Sequence, residues 1–284
     1  MVKIFSIFLL LSTLVFAQNI FVENLNEVKS PIVSKVKTFL SEESFNKNKE
    51  YIKIIFSPES DYYVKNRVDV VKIAKTLKEN GLLNLFFDKP QELRLSFKTS
   101  GYPLFFVKIM GDTLRNIGYY RYVTTESNLD ISEFRWDISL NSEYATDPHI
   151  LQQELEKSGC LITDIKRVSK NYWSYSIDIN NGFLNVKALE DSVEMSLKRS
   201  LYAHWLNVSN VKNINIKSSL KNKWYPHIVF YDKELHILKV IKEDTKTSSF
   251  YVEVPKSAKY IKITDMYTLK NIKDDLVLNP SGSR

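Results

Sequence analysis

One cysteine stands in the whole chain, Cys160, so no intramolecular disulfide can form. With 284 residues the chain can still bury a core large enough to fold without one. Leu161 and Ile162 follow that cysteine, which marks it as a small buried hydrophobe rather than a reactive thiol. Glycine and proline are scarce, at 7 and 8 residues, which excludes a collagen-like or linker-rich protein. Apolar residues make up 44% of the sequence, which excludes a disordered one. The motifs of several enzyme classes are missing. There is no Gly-x-Ser-x-Gly elbow for a serine hydrolase and no His-Glu-x-x-His for a zinc protease. No glycine-rich loop follows a strand, so phosphate or dinucleotide binding has no support. The acid pairs Glu190/Asp191 and Asp274/Asp275 are neighbours in sequence and face opposite ways on a strand, so they read as solvated charge.

Long apolar runs are also absent, with one exception at the start. Lys3 precedes the run Ile4 to Leu11, and Thr13 to Phe16 lead to Ala17. A basic start, about ten apolar residues and small residues flanking the cut predict a secretory signal peptide over 1–17, cleaved after Ala17. The run is too short to span a bilayer, and no second one is longer. The expected location is therefore the periplasm or the exterior, with no transmembrane segment in the mature chain.

Within the first half the chain repeats itself at a period of about 40 residues. Thr76 to Gly81, Thr113 to Gly118 and Glu154 to Gly159 each read as the end of an amphipathic helix closed by glycine. The helices before them are expected over 66–80, 103–117 and 148–158, with Pro103 and Pro148 in first turns and Asp147 as an N-cap. Two short strands are expected after each glycine. The second of each pair alternates cleanly, as in Leu93/Leu95/Phe97, Phe134/Trp136/Ile138 and Trp173/Tyr175/Ile177. A degenerate fourth copy begins with Ser30 and Pro31, and its strand is expected over 51–57. Read from there, strands and helices follow the ferredoxin-like order. The fold class is thus α+β followed by all-β, with two small α+β modules over 18–100 and 101–182. Modules of this size and order look like those of secretion rings and outer-membrane assembly factors, which implies protein contacts.

After about 182 the helical period stops. Strands are expected at 201–208, 211–217, 227–232, 235–241, 250–254 and 260–264, and this spacing predicts a β-sandwich over 183–284. The stretches Val229 to Glu234 and Tyr251 to Ile263 resemble the late hairpins of galactose-binding-like jelly rolls. That resemblance implies a module that binds glycans or proteins and rarely catalyses.

Charge and aromatics then point to a binding surface. Residues 180–284 hold 17 Lys/Arg against 11 Asp/Glu, while the rest of the exported chain balances. An exported basic domain suits a glycan, an anionic surface or an envelope protein rather than nucleic acid. Trp224 and Tyr225 follow Lys221 and Lys223 in an expected loop, where a bulky aromatic implies contact with a ligand. With His227 and Tyr231 they form the expected binding site. Trp205, Tyr267 and His204 belong to the same set of aromatics. His227, Asp232 and His236 lie on strands joined by a hairpin, but such histidines are ordinarily surface residues, so neither metal nor cofactor is expected. No catalytic residue is assigned. The alternative is a hydrolase acting on glycans or other substrates with a dispersed active site, which calls for two carboxylates in a pocket of the first half.

Overall fold

The computed structural model describes residues 30–284, so the expected export signal lies outside the described residues. Helix α1 (Pro31–Lys37) begins as its sequence dictates. Ser30 accepts from the N–H groups of Ile32 and Val33, and Pro31 occupies the first turn. Beyond it come two short helices, α2 (Glu42–Lys47) and α3 (Lys49–Ile55), and α3 takes the place of the strand expected over 51–57. Ile52 and Phe56 are buried four residues apart while Ile54 points to solvent. A short apolar run fits both periods, and here the helical one prevails. The ferredoxin-like order read from residue 51 loses its first strand. Only a small hairpin, β1 (Tyr63–Val64) with β2 (Arg67–Val68), follows.

The three repeat helices are α4 (Val70–Glu79), α5 (Pro103–Asn116) and α6 (Pro148–Glu156). Asp69 caps α4 and Asp147 caps α6 through backbone N–H groups. Gly81, Gly118 and Gly159 follow the helices at φ of 71°, 100° and 69°, the left-handed conformation that closes each one. They are not equally replaceable. A Cβ at Gly81 would meet nothing within 4 Å, whereas at Gly159 it would lie 2.4 Å from the backbone oxygen of Asn181. Gly81→Ala is expected to cost about 1 kcal/mol, from the left-handed backbone alone. Gly159→Ala is expected to cost about 2 kcal/mol in all, because the backbone must also move aside. Denaturant melts of the two variants measure the difference, and equal costs would show that the 159 turn has room.

One sheet gathers the strands of the repeat. It is ordered β4 (Val123–Leu129), β5 (Phe134–Tyr144), β3 (Phe86–Thr99), β7 (Tyr172–Asp178) and β6 (Leu161–Ser169). β3 pairs parallel with β7, and the other pairs are antiparallel. A single long strand follows Gly81 where the repeat predicts two. The sheet runs on across residue 100, since β3 precedes it and both neighbours of β3 follow it. Leu95, Trp136 and Tyr175 share one hydrophobic cluster with Ile73, Phe106 and Leu151 of the helices. One helix with one hairpin cannot bury its apolar face alone, so the repeats complete each other. Lys35 ties α1 to β6, pairing with Asp164 and donating to the Ile165 carbonyl at 2.7 Å.

The remaining strands form two antiparallel four-stranded sheets. One is ordered β13 (Ser249–Glu253), β10 (Val211–Ser218), β15 (Leu276–Ser283), β8 (Met195–Leu197). The other is ordered β12 (Ile237–Lys242), β11 (Pro226–Tyr231), β14 (Tyr260–Asp265), β9 (His204–Asn207). All six expected strands are present, and β8 and β15 are additional. Pro280 obscures β15 in the sequence. Its carbonyl accepts from Ser192 at 3.1 Å, so its missing N–H also faces away from β10 and breaks no ladder bond. Ile214, Ile216 and Leu278 of one sheet and Ile228, Phe230 and Ile261 of the other form a second hydrophobic cluster.

Strand β11 is buried on both faces. Ile228 and Phe230 enter the second cluster, while Val229 and Tyr231 join the first. Leu235, in the turn between β11 and β12, is 2% exposed and also belongs to the first cluster. The Leu184 N–H donates to the Tyr260 hydroxyl at 3.0 Å across the same junction. Among the described residues no helix is long and apolar enough to cross a membrane.

Candidate functional site: a cationic cleft at the junction

The residues expected to form a loop site are dispersed. Trp224 has no exposed surface, sits in the second cluster, and donates its indole N–H to the Thr264 carbonyl at 2.9 Å. Its ring is therefore not available to stack on a ligand. A bulky aromatic outside a strand reads as a contact residue, but here it plugs the end of a core. The segment around it is pinned. The buried Asn222 side chain accepts from the Lys273 and Asp274 N–H groups at 2.8 and 2.7 Å. Asp265 accepts from the Tyr225 N–H at 2.9 Å. Lys221 and Lys223 are exposed, and Lys221 pairs with Asp274 at 3.6 Å. Tyr225 is half-buried, with its ring edge on Tyr267. His227 and Tyr231 lie on the other face of β11, turned towards the α+β half.

That face meets α5 in a cleft of about 400 Å³. Trp205 of β9 and Tyr231 of β11 stack at 5.1 Å between centroids and make its floor. Lys262, the cross-strand neighbour of Trp205, stands 5.7 Å from the Trp205 ring centroid. Lys108 reaches the same ring from α5, at 5.2 Å. Arg115, two helical turns further along α5, lies over Tyr202 at 4.2 Å. Tyr202 and Leu104 line the rim and are half exposed. Among the described residues three cations thus line the cleft, with one carboxylate, Asp112. Asp112 is already bound by Lys108 and, at 3.1 Å, by Arg115.

Two titrating groups on this face are shifted, first by burial. Burial pushes the Lys108 ammonium below its ordinary range, and Arg115 and Lys262 push it further, against the opposing pull of Asp112. Burial also lowers the His227 imidazole, aided by Lys242 and Lys262. Burial leads in both groups, and the neighbouring cations add to it. An aromatic floor beneath N–H donors of one sign can hold an anion with an apolar body.

Two other places hold titratable groups that structural contacts already engage. A groove of about 450 Å³ between α4 and α6 holds Asp69, Glu79, Glu156 and His149. Its carboxylates serve the helices. Asp69 caps α4, Glu79 pairs with Lys75 at 3.9 Å, and Glu156 accepts from Gln152 at 3.0 Å. Cys160 is fully buried, and burial pushes its thiol up to about 12, so it packs as an apolar residue.

Of the cleft residues, sequence reasoning reached Tyr231 and Trp205 but not Lys108, Asp112, Arg115 or Tyr202. The charges of α5 follow i,i+4 and i,i+3 spacing, the pattern of any solvated helix face. Only the second half packed against that face turns them into a lining. No protein-family model matches this chain, and a search of curated proteins finds no relative.

Proposed function

We propose that this chain is an exported, non-enzymatic binding module of the cell envelope that holds an acidic glycan in the cleft between its halves. The C-terminal half is read as a jelly-roll-like β-sandwich, and α5 supplies the opposite wall. The observation that carries this reading is the grouping of Lys108, Arg115 and Lys262 around the Trp205–Tyr231 stack, with Tyr202 at the rim. Ammonium and guanidinium groups recognise a carboxylate, and the aromatic rim suits the apolar face of a sugar ring. The single lining carboxylate, Asp112, is held by two cations and has no second acid opposite it. That arrangement favours binding over hydrolysis, which needs a pair.

Calorimetric titration of the full chain with uronic-acid oligosaccharides tests this, against the neutral analogue and anionic-lipid vesicles. The uronate is expected to bind and to weaken as salt rises above about 0.15 M, where the screening length is about 8 Å. Lys262→Met is expected to weaken it by about 10–100-fold, the value of one charged hydrogen bond. Equal binding of the neutral sugar, or no effect of Lys262→Met, would sink the proposal. Binding to vesicles alone would replace the glycan by a membrane surface.

A further inference from the structure

The turn between β11 and β12 carries a second cluster that the cleft does not use. We infer that Asp232, Glu234 and His236 form a site for a divalent transition metal of the zinc class. Their ligand atoms all lie within 4.8 Å of one another. His236 Nδ1 is 2.8 Å from Asp232 Oδ2. The other oxygen, Oδ1, is occupied, accepting from the N–H groups of Glu234 and His236 at 2.9 and 2.8 Å. Oδ2 and Nδ1 thereby face each other across a hydrogen bond that a metal held between them would replace. No metal was expected from the sequence, and His227 takes no part in this cluster, because it pairs with Lys242 at the far end of the hairpin.

Three features hold the ligands in place. Leu235 sits at φ 64° and is buried against the α+β half, so it anchors the turn between Glu234 and His236. The Tyr102 ring meets the His236 ring edge-on at 4.9 Å, fixing the imidazole from the other half of the molecule. Asp232 and Glu234 are each only about a quarter exposed. Among the described residues Lys233 is the cation paired with this cluster, 3.2 Å from Glu234, and from its largely exposed position it can turn into water. Two carboxylates balance a divalent charge. One imidazole nitrogen beside two oxygens suits zinc, nickel or copper, whereas calcium and magnesium prefer all-oxygen sets. Solvent would complete the coordination on the exposed side.

The test is zinc titration of the untagged full chain by calorimetry, with thermal melts at each metal concentration. One-to-one binding and a rise in melting temperature are expected. His236→Gln and Glu234→Gln should each weaken binding by more than about tenfold, and Lys233→Ala should not weaken it. These positions are at the surface, so melts without metal show whether the variants remain folded. Cobalt in place of zinc should give d–d absorption that His236→Gln removes. Unchanged zinc affinity in both ligand variants would overturn the site. So would binding only at millimolar zinc, or equal binding of magnesium. None of these results depends on whether the cleft takes a glycan.

Discussion

In thermal and denaturant unfolding, Trp224→Ala is expected to destabilise the protein by about 3–5 kcal/mol, the range for removing a large buried aromatic. Folded domains are stable by only about 5–15 kcal/mol, so most of the margin of the two-sheet half would be lost. The cause is local. The ring fills the end of the second cluster with no exposed surface, and its removal leaves a cavity that the pinned segment around Asn222 and Asp265 cannot close. Trp224→Phe separates packing from hydrogen bonding. It keeps most of the volume and leaves the Thr264 carbonyl without its 2.9 Å partner, which should cost about 1–3 kcal/mol. Were Trp224→Ala to melt like the parent while losing ligand affinity, the ring would be a surface contact after all and the loop site would return.

The second large effect is expected at the junction. Leu235→Ala should destabilise by about 2–5 kcal/mol, as for other buried leucines cut to alanine. Its consequence differs from that of Trp224→Ala, because Leu235 is carried by the two-sheet half and buried in the cluster of the α+β half. The left-handed backbone at residue 235 is held there by that burial, since leucine alone disfavours φ of 64°. Alanine keeps the strain and loses the contact. Hydrogen exchange should therefore rise first in the turn 232–236, around Tyr260 and along α5, with the second cluster still protected. The cleft shares Leu235 and Tyr231 with this contact, so ligand affinity should fall as well. Uniform loss of protection through both clusters would mean that the halves unfold as one unit, without a separable joint.

Local chemistry in the sequence determined much of this molecule. The glycines at 81, 118 and 159 have no Cβ to resist a left-handed turn, so the ends of three helices could be read directly. Ser30, Pro31, Asp147 and Pro148 marked helix starts because caps satisfy backbone donors within three residues. Strict alternation in β5 and β7 marked strands, because the apolar face of each packs on the core while polar residues occupy the other. The run 51–57 misled because four apolar residues fit two periods. β15 was missed because Pro280 looks like a strand breaker until its free side is known.

Tertiary structure alone decided which faces meet. Strand pairing joins residues far apart in sequence, so one continuous five-stranded sheet across residue 100 could not be foreseen from a repeat that looks modular. The basic excess of the last third was countable, yet two of the three lining cations come from α5 in the first half. Lys108 and Arg115 carry the same charge in any solvated helix. Their field becomes a property of the protein only where Lys262 and Trp205 are packed opposite them and water is partly excluded. Trp224 and Trp205 show the same limit from the other side. Both are tryptophans among basic residues of one half, and only the fold sends one into a core and leaves the other on the floor of a cleft.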